Sequence, residues 1–283
     1  MSLNESLNSL AGAITSAARE NKVEDLQSLL GKWESPVREP LQRALNAALR
    51  QGHVGPANLL LDRGCYCGFH ETQAALEGGH KIAIFECMLQ HGWDVDFSLD
   101  HRGDALVCSL LFATTPDLPR WLLEHGADPN ANPRSDPVCS TALEAACSRP
   151  SIPADIVSLL LKHGAMGSLA VLVAAWNGNV EALCVLLDEG GEMFGIDMMP
   201  EAENPDWALK EEWGTALHGA AAKGEMACVE FLLSRGARTD IRNGAGLTPE
   251  QAAEHFEHKE WQALFQMLAP RAGSELSRNA AGK

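Results

Sequence analysis

Apolar residues along this chain fall into short helical runs that come in pairs, and each pair closes on leucines followed by a glycine and a polar stretch. The pattern is clearest in "GTALHGAAAKGEMACVEFLLSRGARTD", residues 214–240. Ala216, Leu217, Ala220 and Ala221 recur at helical spacing and give a narrow face suited to close helix packing. Gly224 breaks that run, and Val229, Phe231, Leu232 and Leu233 supply the buried side of a second helix. Thr215 stands where a hydroxyl can satisfy first-turn N–H groups. Gly236 stands where a helix leaves through a left-handed residue.

The same phrase recurs along the chain. The glycines that close the leucine-rich runs are Gly31, Gly64, Gly92, Gly126, Gly164, Gly190 and Gly236, at a mean spacing near 34 residues. That is a repeat period with insertions and deletions, so an array of supersecondary units is predicted. The predicted units are 7–36, 41–68, 69–98, 100–132, 139–166, 168–195, 213–242 and 246–270, with 271–283 as a C-terminal tail.

Thr215, Ala216, Leu217 and His218, followed by the alanine pair, the leucine pair and the Gly-Ala closing, resemble the signature of the ankyrin-repeat family. "GLTPEQAAEHFEHKEWQALFQML" keeps Thr248 and Pro249 but has Glu250 and Gln251 where the family has Leu and His. "STALEAAC", "LAVLVAAWNGNVEALCVLLDEGG", "LNAALRQGHVGPANLLLDRGC" and "TQAALEGGHKIAIFECMLQHG" are looser copies, and "LAGAITSAARENKVEDLQSLLG" sits as an N-terminal cap. The resemblance implies an all-α fold, an α-solenoid of about eight helix-turn-helix repeats with finger loops at the connectors. It also implies that Thr215, His218 and Thr248 hold the turns that open first helices. The Gly-His break is replaced by prolines in "LLFATTPDLPRWLL" and "ACSRPSIPADIVSLLL", so irregular turns are expected there.

Composition narrows the function. Apolar residues make up 46% and charged ones 21%, a folded rather than disordered balance. A formal charge of −16 opposes a nucleic-acid backbone or an anionic membrane and favours a basic partner. The start of the chain lacks a basic segment before an apolar run, so an intracellular protein, cytoplasmic or nuclear, is expected. Most of the eight cysteines, such as Cys87, Cys147, Cys184 and Cys228, fall inside apolar helical patterns, which suits a reducing compartment.

Candidate chemistry is sparse. His91, His125 and His163 occupy equivalent positions, but stacked helices lie roughly 8–10 Å apart while zinc holds nitrogen at about 2 Å. They form a ladder, and local bonds to loop carbonyls are expected. Cys65, Cys67 and His70 in "GCYCGFH" lack the further ligands of a structural zinc site, and exposed finger thiols are the plainer reading. Asp94, Asp96, Asp100 and Asp104 fail the calcium-loop pattern, because Leu99 and Ala105 occupy the places of its Gly and Glu. No cofactor and no metal are expected.

Recognition remains. An insertion at 196–212 mixes carboxylates with Ile196, Met198, Met199 and Trp207, and Met193 and Phe194 precede it. Trp176 takes a variable position at the end of a first helix, equivalent to Arg50, Glu77 and Lys223, with Phe112 approximately aligned. The resemblance places that row on the concave face. The leading expectation is a non-enzymatic scaffold or adaptor, monomeric, that binds a basic or mixed basic and hydrophobic protein. The expected contacts are Trp176, Trp207, Trp213, Phe112, Arg50 and Lys223, with His101, Arg102 and Arg134 at the rim. The alternatives are an atypical enzyme or small-molecule binder with a pocket near Trp176 and the insertion, and a purely structural spacer.

Overall fold

The computed structural model describes residues 3–97, 116–131, 141–199 and 214–255. Among them the structure is all-α, with no strand. The chain forms two compact units, Met1–Leu106 with Glu124–Ala127, and Val107–Leu123 with Asp128–Lys283.

In the first unit, helices α1 (Leu3–Arg19), α3 (Glu39–Gln51) and α5 (Phe69–Glu77) stack as one layer. Helices α2 (Val23–Gly31), α4 (Val54–Asp62) and α6 (Ile82–Gln90) stack as a second. The second unit holds α7 (Asp117–Glu124) but for its last residue, α8 (Ala142–Cys147), α9 (Ala154–Lys162), α10 (Ala170–Trp176), α11 (Val180–Glu189), α12 (Ala216–Lys223), α13 (Met226–Ser234) and α14 (Pro249–His255). There α8, α10, α12 and α14 pack in succession, and α9, α11 and α13 form the other layer. Within each unit this is a helical-repeat solenoid.

The two layers differ because their side chains differ. First helices meet through small residues, fully or almost fully buried: Ala44, Ala48, Ala74, Ala75, Ala142, Ala145, Ala174, Ala220 and Ala253. Small side chains let backbones approach closely. An added Cβ at Gly78 would stand 2.5 Å from the Leu49 carbonyl oxygen of α3. Second helices contribute bulk, including Leu26, Leu60, Phe85, Leu160, Leu186 and Leu232, all at most 1% exposed. Each such side chain contributes about 1.5–3 kcal/mol on burial.

The helix exits explain the recurring Gly-Ala. Gly236 at φ 86° donates its N–H to Leu233 O, and Ala237 donates to Leu232 O, both at 3.0 Å. These bonds satisfy the carbonyls that the helix end leaves free. Cys65 and Trp93 occupy the alanine place after Gly64 and Gly92, bond the same way and are buried. Two predicted exits differ. Gly31 is the last residue of α2 and Lys32 caps it in a right-handed conformation. Gly190 also stays right-handed, at φ −79°, and Gly191 takes the positive φ of 65°, because the chain continues into a short 3₁₀ turn, Gly191–Met193.

The breaks within units tie neighbours together. His53, just before α4, brings Nδ1 to 3.3 Å from the Ala18 carbonyl at the end of α1. Asn179 caps α11 through Ala182 N–H and donates its amide to the Cys147 carbonyl at the end of α8. In the proline-bearing break at 148–153, Ile152 N–H bonds Arg149 O and Pro153 leads into α9.

Candidate partner-binding surface

The turns that open the first helices set the register of everything else. Before α12, Thr215 is fully buried, and its N–H and hydroxyl lie 3.1 and 2.9 Å from His218 Nδ1. Nδ1 must therefore accept, so the proton sits on Nε2, which donates to the Leu247 carbonyl at 3.0 Å. One neutral imidazole thus closes its own turn and reaches the next repeat. Burial pushes its pKa down, against the raising effect of its carbonyl contacts.

The same position in three other turns carries a different group. Before α8, Glu144 accepts Thr141 N–H on Oε2 and Leu169 N–H on Oε1, both at 3.1 Å. Burial raises its pKa, against those N–H bonds. Before α5, Glu71 accepts Gly68 N–H at 3.1 Å and the Asn46 amide at 2.9 Å. Before α14, Gln251 Oε1 accepts Thr248 N–H at 3.0 Å, and Thr248 Oγ1 accepts Gln251 N–H at 3.3 Å. Sequence reading missed Glu144, although Thr141 followed three residues later by Glu144 is a capping-box signal.

The ends of the first helices form the second feature. Arg50 on α3 donates to Glu77 on α5 at 2.7 Å, an exposed pair worth well under about 1 kcal/mol. In the other unit Lys223 Nζ lies 4.7 Å from the Trp176 ring centroid, joining the ends of α12 and α10. Trp176 is half-buried and also approaches Gly219, where an added Cβ would stand 3.4 Å from the ring. Equivalent positions therefore pair between neighbouring first helices in both units.

A family model described as "Ankyrin repeat" matches residues 214–244, the stretch containing the Thr215–His218 turn and helices α12 and α13. That stretch carries an ankyrin repeat. The chain is 38% identical over 117 residues to ankyrin repeat and KH domain-containing protein 1 of Homo sapiens. That match takes in 39% of this chain and spans 4% of the human protein's length. Ankyrin repeats generally mediate protein–protein interaction, and the family is typically non-enzymatic.

Two of the connectors are tied down by side-chain amides. Asn130 donates to the Gly164 carbonyl and accepts the Met166 N–H, both at 2.8 Å. Gln42 makes the same two-way clasp on the backbone of Tyr66, at 2.6 and 3.4 Å. Asp128 accepts Asn130 N–H at 2.8 Å. Asn130, one connector away from Gly164, thus commits its amide to the neighbouring connector.

Other sequence candidates resolve locally. His91 Nδ1 lies 2.9 Å from its own helix's Cys87 carbonyl, and Nε2 lies 3.2 Å from Asp62. Among the described residues no three of His, Cys, Asp and Glu are grouped so as to hold a metal ion. The thiols of "GCYCGFH" are not exposed as expected. Cys65 is 8% exposed and Cys67 half-buried, since Cys65 takes the inward alanine place, and burial raises their pKa values to about 11 and about 12. His70 is exposed and edge-on to Phe69.

The turn at residues 191–199 is anchored on both sides. Phe194 is 4% exposed and packs against Gly190, and Asp197 accepts the Arg238 N–H at 3.0 Å. Two open clefts lie at the α1–α2 turn, of about 440 and 340 Å³, the larger lined by Ser16, Glu20, Lys22, Asp25 and Lys32 among others. Both belong to the first unit. No described helix is long and apolar enough to cross a membrane. Trp207, Trp213, Phe112, His101, Arg102 and Arg134 lie outside the described residues.

Proposed function

We propose that the chain is a non-enzymatic scaffold or adaptor that holds a basic or mixed basic and hydrophobic protein along the row of first-helix ends and the fingers. The observation that carries this reading is Trp176, a half-buried aromatic side chain at a row position otherwise given to Arg50, Glu77 and Lys223. Large aromatic groups dominate interface energies, and an arginine or lysine beside them adds a donor for the rim. The net charge of −16 supports a basic partner through long-range steering.

The proposed contacts are Trp176, Lys223 and Arg50, joined by Trp207, Trp213, Phe112, His101, Arg102 and Arg134 from the sequence pattern. The proposed array keeps eight units between residues 7 and 270, with 196–212 as an insertion and the chain monomeric. A stable contact covers roughly 800 Å² per side, which several adjacent repeats can supply.

The test is affinity recovery of partners from cell extract with four versions of the chain: unaltered, Trp176→Ala, Arg50→Ala with Lys223→Ala, and residues 196–210 replaced by a Gly-Ser loop. Thermal melts establish that each is folded. Recovery is expected to fall with Trp176→Ala and with the double alanine variant. Identical recovery by all four folded chains would remove the assigned surface.

A further inference from the structure

We propose that the turn Gly191–Met199 is a docking surface for a basic amphipathic helix of a partner protein. This rests on the protein-binding reading only in taking the ligand to be a protein, and it concerns a different patch from the Trp176 row.

The turn is anchored, not loose. Phe194 is its plug: Gly190 is so close that an added Cβ would stand 2.3 Å from the phenyl ring and 2.4 Å from Leu186 O. Asp197 fixes the other end by accepting Arg238 N–H, and Gly195 N–H lies 3.1 Å from Met198 Sδ. With those groups turned inward, Met193, Met198 and Met199 remain 51%, 42% and 41% exposed. Three unbranched, polarizable side chains within seven residues can adapt to varied apolar contours, which is how methionine-rich recognition surfaces work.

Charge selects the partner. From residue 163 to residue 209 the chain has no Lys or Arg and eight carboxylates, half of its net charge of −16. Among the described residues, Arg235 binds Asp188 through two bonds, and Arg238, whose N–H meets Asp197, turns its guanidinium to Asp240. Glu189, Glu192 and Asp197 lie within a few residues of the methionines along the chain. Glu189 accepts the Ser158 hydroxyl, and Asp197 accepts the backbone N–H of Arg238. Exposed methionines interspersed with carboxylates complement a helix that carries leucine-like side chains on one face and Lys or Arg on the flanks. An anionic lipid surface is repelled by the same field.

The experiment is calorimetric titration of the full chain with three synthetic peptides: a Leu–Lys amphipathic helix, the same composition scrambled so that no apolar face forms, and a Leu–Glu helix. The variants are Met193→Gln with Met199→Gln, which spares the Met198 contact to Gly195, and Trp176→Ala. The Leu–Lys helix is expected to bind, and the double methionine variant to weaken it by about tenfold or more. The Leu–Glu and scrambled peptides are expected to fail, and Trp176→Ala to leave binding unchanged. Equal affinity in the methionine variant, or equal binding of the scrambled peptide, overturns the proposal. Loss through Trp176→Ala alone moves the peptide to the first-helix row, which overturns this site and leaves the broader reading standing.

Discussion

Glu144 Oε1 accepts the Leu169 N–H at 3.1 Å, where His218 Nε2 donates to the Leu247 carbonyl at 3.0 Å: equivalent positions make the same inter-repeat tie with opposite polarity. The next connector presents a donor in one case and an acceptor in the other. Residue choice in the turn follows from that polarity, not from preference for one side chain.

Amide substitutions should therefore behave unequally. His218 needs one acceptor and one donor, and a glutamine amide supplies both, so His218→Gln is expected to cost less than about 1 kcal/mol. Glu144 faces two donors, and Glu144→Gln must aim its NH₂ at an N–H, costing about 1–3 kcal/mol although the shape is kept. Urea denaturation of both variants decides this, and equal losses would contradict the polarity argument.

Two histidines should give opposite pH dependences. Burial lowers the folded pKa of His218 below its ordinary 6.5, so the unfolded chain takes up the proton first as pH falls. Its contribution is full above 6.5 and is lost as pH falls through the interval down to the folded value. The Cys87 carbonyl, with help from Asp62, raises His91 above 6.5. Its contribution is full below 6.5 and is lost as pH rises through the folded value. Urea midpoints measured between pH 5 and 8 for His218→Gln and His91→Gln, each against the unaltered chain, should differ in opposite directions.

Glycines should separate by mechanism. Gly92 sits at φ 82° with nothing within 4 Å of an added Cβ, so Gly92→Ala costs about 1–2 kcal/mol and Gly92→Asn recovers part of it. Gly78 has φ −73° but would drive a Cβ into the Leu49 and Arg50 carbonyls. Gly78→Ala and Gly78→Asn should both destabilise, by about 1–3 kcal/mol or more. Thermal melts of the four variants test whether asparagine rescues only the first site.

Thiol labelling should report unfolding at most helix cysteines. Burial raises Cys228 to about 12 and Cys147 still further, and both are fully buried. Cys184 is half-buried and hydrogen-bonds Asp188 at 3.3 Å, so maleimide should reach it first among the described helical cysteines. Peptide mass analysis after timed labelling would contradict this ordering if Cys147 reacted as fast as Cys184 in the native chain.

Much of the architecture was legible because it depends on local spacing. The alanine and leucine periodicities specify which helix faces can pack, and the glycines at 64, 92, 126, 164 and 236 mark exits that need positive φ. Gly31 and Gly190 carried the same signal yet stay right-handed, because the residues after them, Lys32 and the 3₁₀ turn, decide the exit. Cys65 read as an exposed finger thiol because composition does not reveal that it occupies the inward place after Gly64.

The candidate surface was legible by position only. The sequence by itself determined that Arg50, Glu77, Trp176 and Lys223 are equivalent, since equivalence follows from register. Only the tertiary structure decided that Arg50 meets Glu77, that Lys223 covers Trp176, and that Asn130 is consumed by Gly164 and Met166. These partners lie 27 to 47 residues apart along the chain, and which donor meets which acceptor depends on how closely the alanine-lined helices approach. Periodicity fixes the face a residue occupies, while the distance and polarity of its neighbour exist only once the repeats have stacked.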